Sequence, residues 1–278
     1  MAFVFLCVLI GAICLLPMIH LLAKSLSGTD YLVRHEVSLW PKGLNFDAYA
    51  TVLKDPKYIR AFFWTVFLTV VCTLLSLTMT VLCAYPLIFK QLKGRGFINI
   101  LITITMFFNA GTIPNYLLMQ KLGLLNNPLV LIIPSCLSIY NMIIMRSFFY
   151  GIPDSLRESA EIDGATFFQV LRKIYIPLST PVLATLALFY AVGRWNAYAD
   201  AKYYITTKAL QPLQYLLSNM VLNSGNDAVS LSEAAAAATT PEVLQAATIM
   251  FATLPIIMIY PFAQKYFVKG AMIGAVKG

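Results

Sequence analysis

The chain has 278 residues, of which 59% are hydrophobic and only 12% charged, and its 20 Lys and Arg against 12 Asp and Glu give a formal net charge of +8. Together with a positive mean hydropathy, this exceeds what a water-soluble domain needs and puts the chain in lipid. The positive surplus fits contact with an anionic inner leaflet, because no basic helix or aromatic-basic motif of a nucleic-acid binder occurs.

A hydrocarbon core of about 30 Å needs about 20 apolar residues per helix. Six stretches supply them, roughly 1–23, 59–89, 98–119, 128–150, 180–200 and 243–268, so the expectation is an all-α polytopic membrane protein of six transmembrane helices. The runs do not alternate every second residue, which excludes a transmembrane β-barrel. Ala2 to Leu22 has no basic n-region, is too long for an h-region and precedes no A-x-A site, so it reads as a retained helix and not a signal peptide. Cys7, Cys14, Cys72, Cys83 and Cys136 all lie in apolar stretches without C-x-x-C spacing, and His20 and His35 have no second ligand at helical spacing. Neither a disulfide framework nor a metal site is expected.

The most informative segment lies between the fourth and fifth stretches. Pro153, with Asp154, Glu158 and Glu161 behind it, suits the start of a short helix that Gly164 would stop. Thr166 and Gln169 form a T-x-x-Q capping box for a second helix through Phe167, Val170, Leu171 and Ile174, which Pro177 would end. Ser179 or Thr180 then caps the next span, with Pro181 at its first position. Ala160 and Gly164 stand four apart, a small-residue stripe that leaves room for another backbone, and Glu158 offers a carboxylate beside it.

The segment reads Glu158-Ser159-Ala160, three residues, Gly164, nine residues, then Ile174-x-Ile176-Pro177. It resembles the cytoplasmic EAA loop of permeases in binding-protein-dependent ABC importers, E-A-A, three residues, Gly, nine residues, I-x-L-P, with Ser159 for Ala and Ile176 for Leu. The resemblance implies a type I ABC importer transmembrane domain, one permease domain over 1–278 with its coupling loop at 151–177 and an outer loop at 201–242. In that family the loop inserts into a groove on a cytoplasmic ATPase, a role carried here onto Glu158, Ser159, Ala160, Gly164, Ile174, Ile176 and Pro177. It further implies a homologous second permease, two ABC ATPase subunits that hold the ATP and Mg, an extracellular or periplasmic solute-binding protein, and a bacterial cytoplasmic (inner) membrane location.

Other segments look like carbohydrate-uptake permeases of the oligosaccharide subgroup: Gly111-Thr-Ile-Pro-Asn-Tyr116, Leu122-Gly-Leu-Leu-Asn126, Trp195-Asn196, Pro212-Leu-Gln-Tyr-Leu216 and Tyr260-Pro-Phe-Ala-Gln-Lys-Tyr-Phe-Val-Lys269, with Phe46-Asp47-Ala-Tyr49 before the second span. They imply a sugar substrate. No G-x-x-x-x-G-K-[ST], nucleophile elbow or H-E-x-x-H occurs, and all twelve Asp and Glu lie in loops or at helix ends. No catalytic residue and no cofactor is therefore expected in this chain, and the missing mid-membrane carboxylates argue against its alternative, an ATP-independent carrier or channel for a small polar solute.

With 151–177 inside, ten of the twenty Lys and Arg are cytoplasmic and crowd into short loops such as Lys90-Gln-Leu-Lys-Gly-Arg95, which favours both termini inside. Arg194 falls about 20 Å along the fifth helix at ~1.5 Å per residue. It either snorkels to the outer headgroups, the preferred reading, or lines a solute path with Trp195, Asn196 and Tyr198. Asn109 and Asn141, polar within apolar spans, face a similar choice, with interhelical hydrogen bonding preferred. In the outer loop, 211–222 is expected to be a short helix and Ser232-Glu-Ala-Ala-Ala-Ala-Ala238 a helix-prone or tethering run.

Overall fold

The structure, a computed structural model, describes residues 1–222 and 240–275, without the side chains of 2, 260 and 262–275. The alanine-rich run 232–238 and most side chains of the 260–269 motif lie outside these residues. The helices in order are α1 Ala2–Ser25, α2 Thr29–Val33, α3 Asp47–Lys54, α4 Pro56–Ala84, α5 Arg95–Phe107, α6 Thr112–Lys121, α7 Leu129–Ile132 and α8 Ile139–Tyr150. They continue with α9 Asp154–Ile162, α10 Phe167–Val170, α11 Ile176–Leu178, α12 Thr180–Asn196, α13 Ala199–Tyr204, α14 Leu213–Leu222 and α15 Pro241–Ala275. Among the described residues the only β-type pairing is an isolated bridge between Ser27 and Leu44.

Among the described residues three helical stretches are long and apolar enough to cross a membrane unbroken, and up to six spans result when each bent helix pair counts as one. The six apolar stretches were legible, but three of them are not straight. The expected 98–119 span breaks after α5, whose 13 residues cover only about 20 Å at 1.5 Å per residue. Gly111 takes φ +88° there, the Asn109 side-chain oxygen accepts the Gly111 N–H at 2.9 Å, and α6 departs at 115°. The 128–150 span bends by 43° between the Ile133–Ser135 turn and α8. Pro134 lacks an N–H in that turn, and Ser138 restarts the helix by accepting the Asn141 N–H at 3.4 Å. The third bend, 81°, lies at Ser179.

The chain divides into two compact units. In the unit formed by Met1–Thr65 and Lys208–Ile257, Asp55 caps α4 by accepting the Lys57 N–H at 2.8 Å, with Pro56 at the first helical position. The expected helix at 211–222 appears as α14, and Leu213, Leu216 and Leu217 pack on Val52, Tyr58, Ala61 and Leu244. Trp64 Nε1 donates to the Leu210 carbonyl at 2.7 Å, and Thr65 Oγ1 accepts the Leu213 N–H at 2.8 Å. The apolar window of α1 has none of its residues buried, as expected of a helix that meets lipid or another membrane chain.

The other unit comprises Val66–Thr207 and Met258–Gly278. Its core joins Val81, Ala84 and Tyr85 at the end of α4 to Met142, Met145 and Phe149 of α8, to Val170, Leu171 and Tyr175, and to Val182 and Leu186 of α12. Between apolar helices in lipid, close packing and hydroxyl bonds hold the contact rather than water exclusion. Here the Thr80 and Tyr190 hydroxyls share a 2.7 Å bond, Tyr190 also accepts the Ser138 N–H at 3.1 Å, and Ser76 Oγ donates to the Ser135 carbonyl at 3.0 Å.

Candidate functional site

The 151–177 segment folds by the local rules in its sequence. Pro153 stands at the N-cap of α9, one position before the expected first turn. At the far end the Gly164 N–H reaches the Glu161 carbonyl at 3.0 Å and the Ala165 N–H reaches the Ala160 carbonyl at 2.9 Å. This Schellman pair needs a left-handed residue, and Gly164 supplies φ +81°. The capping box also forms: Thr166 Oγ1 accepts the Gln169 N–H at 3.4 Å while Gln169 Oε1 accepts the Thr166 N–H at 2.7 Å.

Beyond α10 the helix stops one residue past the expected Pro177. Leu171–Tyr175 widens into a π-turn, with the Ile176 N–H on the Leu171 carbonyl, and the helix runs to Leu178. Ser179 occupies the next N-cap, but its buried hydroxyl makes no capping bond. Thr180 Oγ1 turns back to the Pro177 carbonyl at 2.7 Å.

The matched positions are not all presented alike. Glu158, Ser159, Gly164 and Pro177 are exposed, whereas Ile174 and Ile176 are half-buried against the core. Ala160 also packs on the chain's own core, so the expected small-residue stripe is not an outward surface. A Cβ on Gly164 would meet nothing within 4 Å. Within four residues of it in the chain stand three exposed apolar side chains, Ile162 at 87% and Phe167 and Phe168 at 64% each, and the exposed polar Asp163, Thr166 and Gln169 lie alongside them in the chain. The sequence placed Phe167 on the second helix and gave no sign of its exposure.

Arg157 organises α9 from within. Its guanidinium lies 2.9 Å from Glu161, 3.7 Å from Asp154 and 3.7 Å from Glu158, and stacks 5.6 Å over the Phe89 ring. Partial burial works against its charge, but the Glu161 hydrogen bond and the neighbouring carboxylates outweigh it and lift its pKa above the usual guanidinium value. The sequence reading passed over Arg157, although its spacing of three and four residues from Asp154 and Glu161 was a readable signal.

At the other candidate site Arg194 does not snorkel. It is 6% exposed, donates to the Leu131 carbonyl at 2.9 Å, and forks onto both carboxylate oxygens of Asp200. The reason is the break after Asn196, which brings α13 and its Asp200 back to the last turn of α12. Trp195 is buried as well, whereas Asn196, Tyr198 and Asn109 are exposed. The Asn196 side chain donates to the Val192 carbonyl at 3.0 Å. Asn141 is buried. His20 Nδ1 lies 2.6 Å from the Ser38 carbonyl, and no cluster of potential metal ligands occurs among the described residues.

Residues 61–272 match the model of a family described as the binding-protein-dependent transport system inner membrane component. The chain belongs to that family. This permease is 40% identical to Protein LplC of Bacillus subtilis (strain 168), over 97% of its own length and 91% of the relative's. It is 39% identical to the polygalacturonan/rhamnogalacturonan transport system permease protein YtcP of the same organism, over 96% and 93%. A chain in the crystal structure of a bacterial ABC transporter involved in the import of the acidic polysaccharide alginate matches with a TM-score of 0.91 at 34% identity, covering 96% of the permease and 95% of that chain. The six-span, all-helical permease is thus a membrane-embedded component of a bacterial ABC import system.

Proposed function

We propose that this permease is one of two homologous membrane subunits of an ATP-driven importer that takes up oligosaccharides handed over by a solute-binding protein. Two cytoplasmic ATPase subunits bind ATP and Mg and do the hydrolysis, and this chain carries no cofactor. Residues 1–278 act as one permease domain in the cytoplasmic membrane with both termini inside. Glu158, Ser159, Ala160, Gly164, Ile174, Ile176 and Pro177 form the coupling element, in which the exposed members meet the ATPase and the half-buried ones tie the loop to the core. The observation that carries this reading is the pair of helices around Gly164, capped at both inner ends and leaving Glu158, Ile162, Phe167 and Phe168 largely exposed.

Acidic oligosaccharides are the preferred substrate class. This rests on the polygalacturonan/rhamnogalacturonan permease and the alginate importer, each more than 30% identical to this chain. Asn109, Asn196 and Tyr198 present polar and aromatic surface to the solute, while Arg194 and Trp195 hold the segment behind them. Liposomes containing this chain, a second permease, the ATPase dimer and a loaded binding protein should take up galacturonate oligomers and hydrolyse ATP, and should prefer them to neutral arabino-oligosaccharides. The chain alone should do neither. Uptake by the lone chain would favour the carrier alternative, and a preference for the neutral oligomers would overturn the acidic substrate.

Orientation gives a separate expectation. In a background without the five native cysteines, Lys93→Cys and Lys121→Cys, both at exposed positions, should react with an impermeant thiol reagent from opposite sides of the membrane, Lys121→Cys from outside. Labelling from one side only would exclude the six-span arrangement.

A further inference from the structure

Where the chain leaves α4 it touches both helices of the coupling segment. Tyr85, the residue after α4, donates its hydroxyl hydrogen to the carbonyl of Phe167, the first residue of α10, at 3.1 Å. Its ring stands edge-on to Phe89, Phe149 and Tyr175, with centroids 5.0, 6.2 and 5.2 Å away. Phe89, at the far side of the Pro86–Ile88 turn, meets Phe167 edge-on at 5.5 Å and lies under the Arg157 guanidinium of α9. Tyr150, the last residue of α8, donates to the Leu87 carbonyl at 3.0 Å. The 85–89 corner is therefore tied to α8, α9 and α10 together.

These ties differ in stiffness. Ring contacts spread their attraction over many weak atom pairs, and a cavity of about 180 Å³ bordered by Ile88, Phe89, Lys90, Asp154, Arg157 and Tyr175 lies where the corner faces α9. The Tyr85–Phe167 bond is directional and of short range. The Phe167 carbonyl also accepts the Leu171 N–H inside the helix, which its two lone pairs allow.

We infer that Tyr85 is a positioning residue for transport, whose hydroxyl bond to the Phe167 carbonyl carries displacement of α10 into the C-terminal end of α4. The inference rests on the reading of 151–177 as the coupling element. It gives the loop a second route into the membrane beside its covalent continuation through Ser179 into α12. Ring packing alone makes Tyr85 a core residue, and only the hydroxyl makes it a link.

Tyr85→Phe separates these roles because it keeps the ring and removes the bond. The assembled importer, with its second permease, ATPase dimer and a binding protein loaded with a polygalacturonate oligomer, is tested in liposomes for ATPase pull-down, melting temperature, ATP hydrolysis with and without the binding protein, and uptake. Assembly and melting should stay at the parent level, while the ratio of stimulated to unstimulated hydrolysis falls roughly three- to tenfold, the factor one hydrogen bond is worth, and uptake falls with it. An unchanged ratio, or a loss of assembly and melting temperature in step with it, overturns the inference. Gly164→Asp in parallel distinguishes the two levels. If it uncouples while Tyr85→Phe does not, only the role of Tyr85 falls; if Gly164→Asp also couples normally, the coupling element itself has been misassigned.

Discussion

Arg194→Met should cost the permease about 3–5 kcal/mol, the usual consequence of removing one partner from a buried ion pair. Both sides of the contact explain the size. Asp200 would keep a carboxylate that is only 26% exposed with its guanidinium fork gone, and the Leu131 carbonyl would lose its charged donor and keep the weaker side-chain approaches of Ser135 Oγ at 3.2 Å and Cys72 Sγ at 3.7 Å. That carbonyl lies just before the bend of the fourth span, so the loss loosens the bend as well. The measurement is thermal unfolding in detergent, with protease resistance as a second probe. The double variant Arg194→Met with Asp200→Leu removes both charges and should recover part of the loss. A single variant that melts with the parent would show the pair to be structurally idle, and one that melts normally yet abolishes uptake would return Arg194 to the solute path.

Arg194 also shows where sequence reasoning stopped. Counting along the helix places it near the end of the fifth span, and the structure has it in the last turn of α12. Its partner was hidden because Asp200 is six residues further on, a spacing no helical face provides, and the two meet only through the break at Ala197. The same applies to the spans. Apolar length reported six stretches, but the bends at 108–111 and at Ser179 depend on side-chain and backbone bonds that composition does not record. Asn109-Ala-Gly111 was a turn signal overruled by the apolar residues around it. The 151–177 segment was legible in most of its detail for the opposite reason: a Schellman glycine and a T-x-x-Q box close within a few residues of chain. Its error concerned outlook. Four-residue spacing grouped Ala160 with Gly164, yet the core claims Ala160, and the exposed apolar residues Ile162, Phe167 and Phe168 flank the glycine instead.

Gly164→Asp should leave the permease folded and disconnect it from its ATPase. The backbone there sits at φ +81°, where a side chain costs roughly 1 kcal/mol, and a Cβ would meet none of the chain's own atoms within 4 Å. The membrane helices satisfy their hydrogen bonds without this loop, so insertion and expression should stay near normal. The added carboxylate instead enters open space beside a loop that exposes Ile162, Phe167 and Phe168, the surface proposed to meet the ATPase. Asparagine tolerates the left-handed region better than most residues, so Gly164→Asn should relieve the strain and still fail to dock. That outcome would assign the defect to the occupied surface and not to the turn. Glu158→Lys should weaken the same contact by reversing the charge offered, while Arg157 keeps Glu161 and Asp154 and so holds α9 in place. The measurements are ATPase pull-down and binding-protein-stimulated hydrolysis on the assembled importer. Wild-type values for both Gly164→Asp and Glu158→Lys would remove 151–177 as the coupling element, because the two changes alter the shape and the charge at exposed positions of the segment.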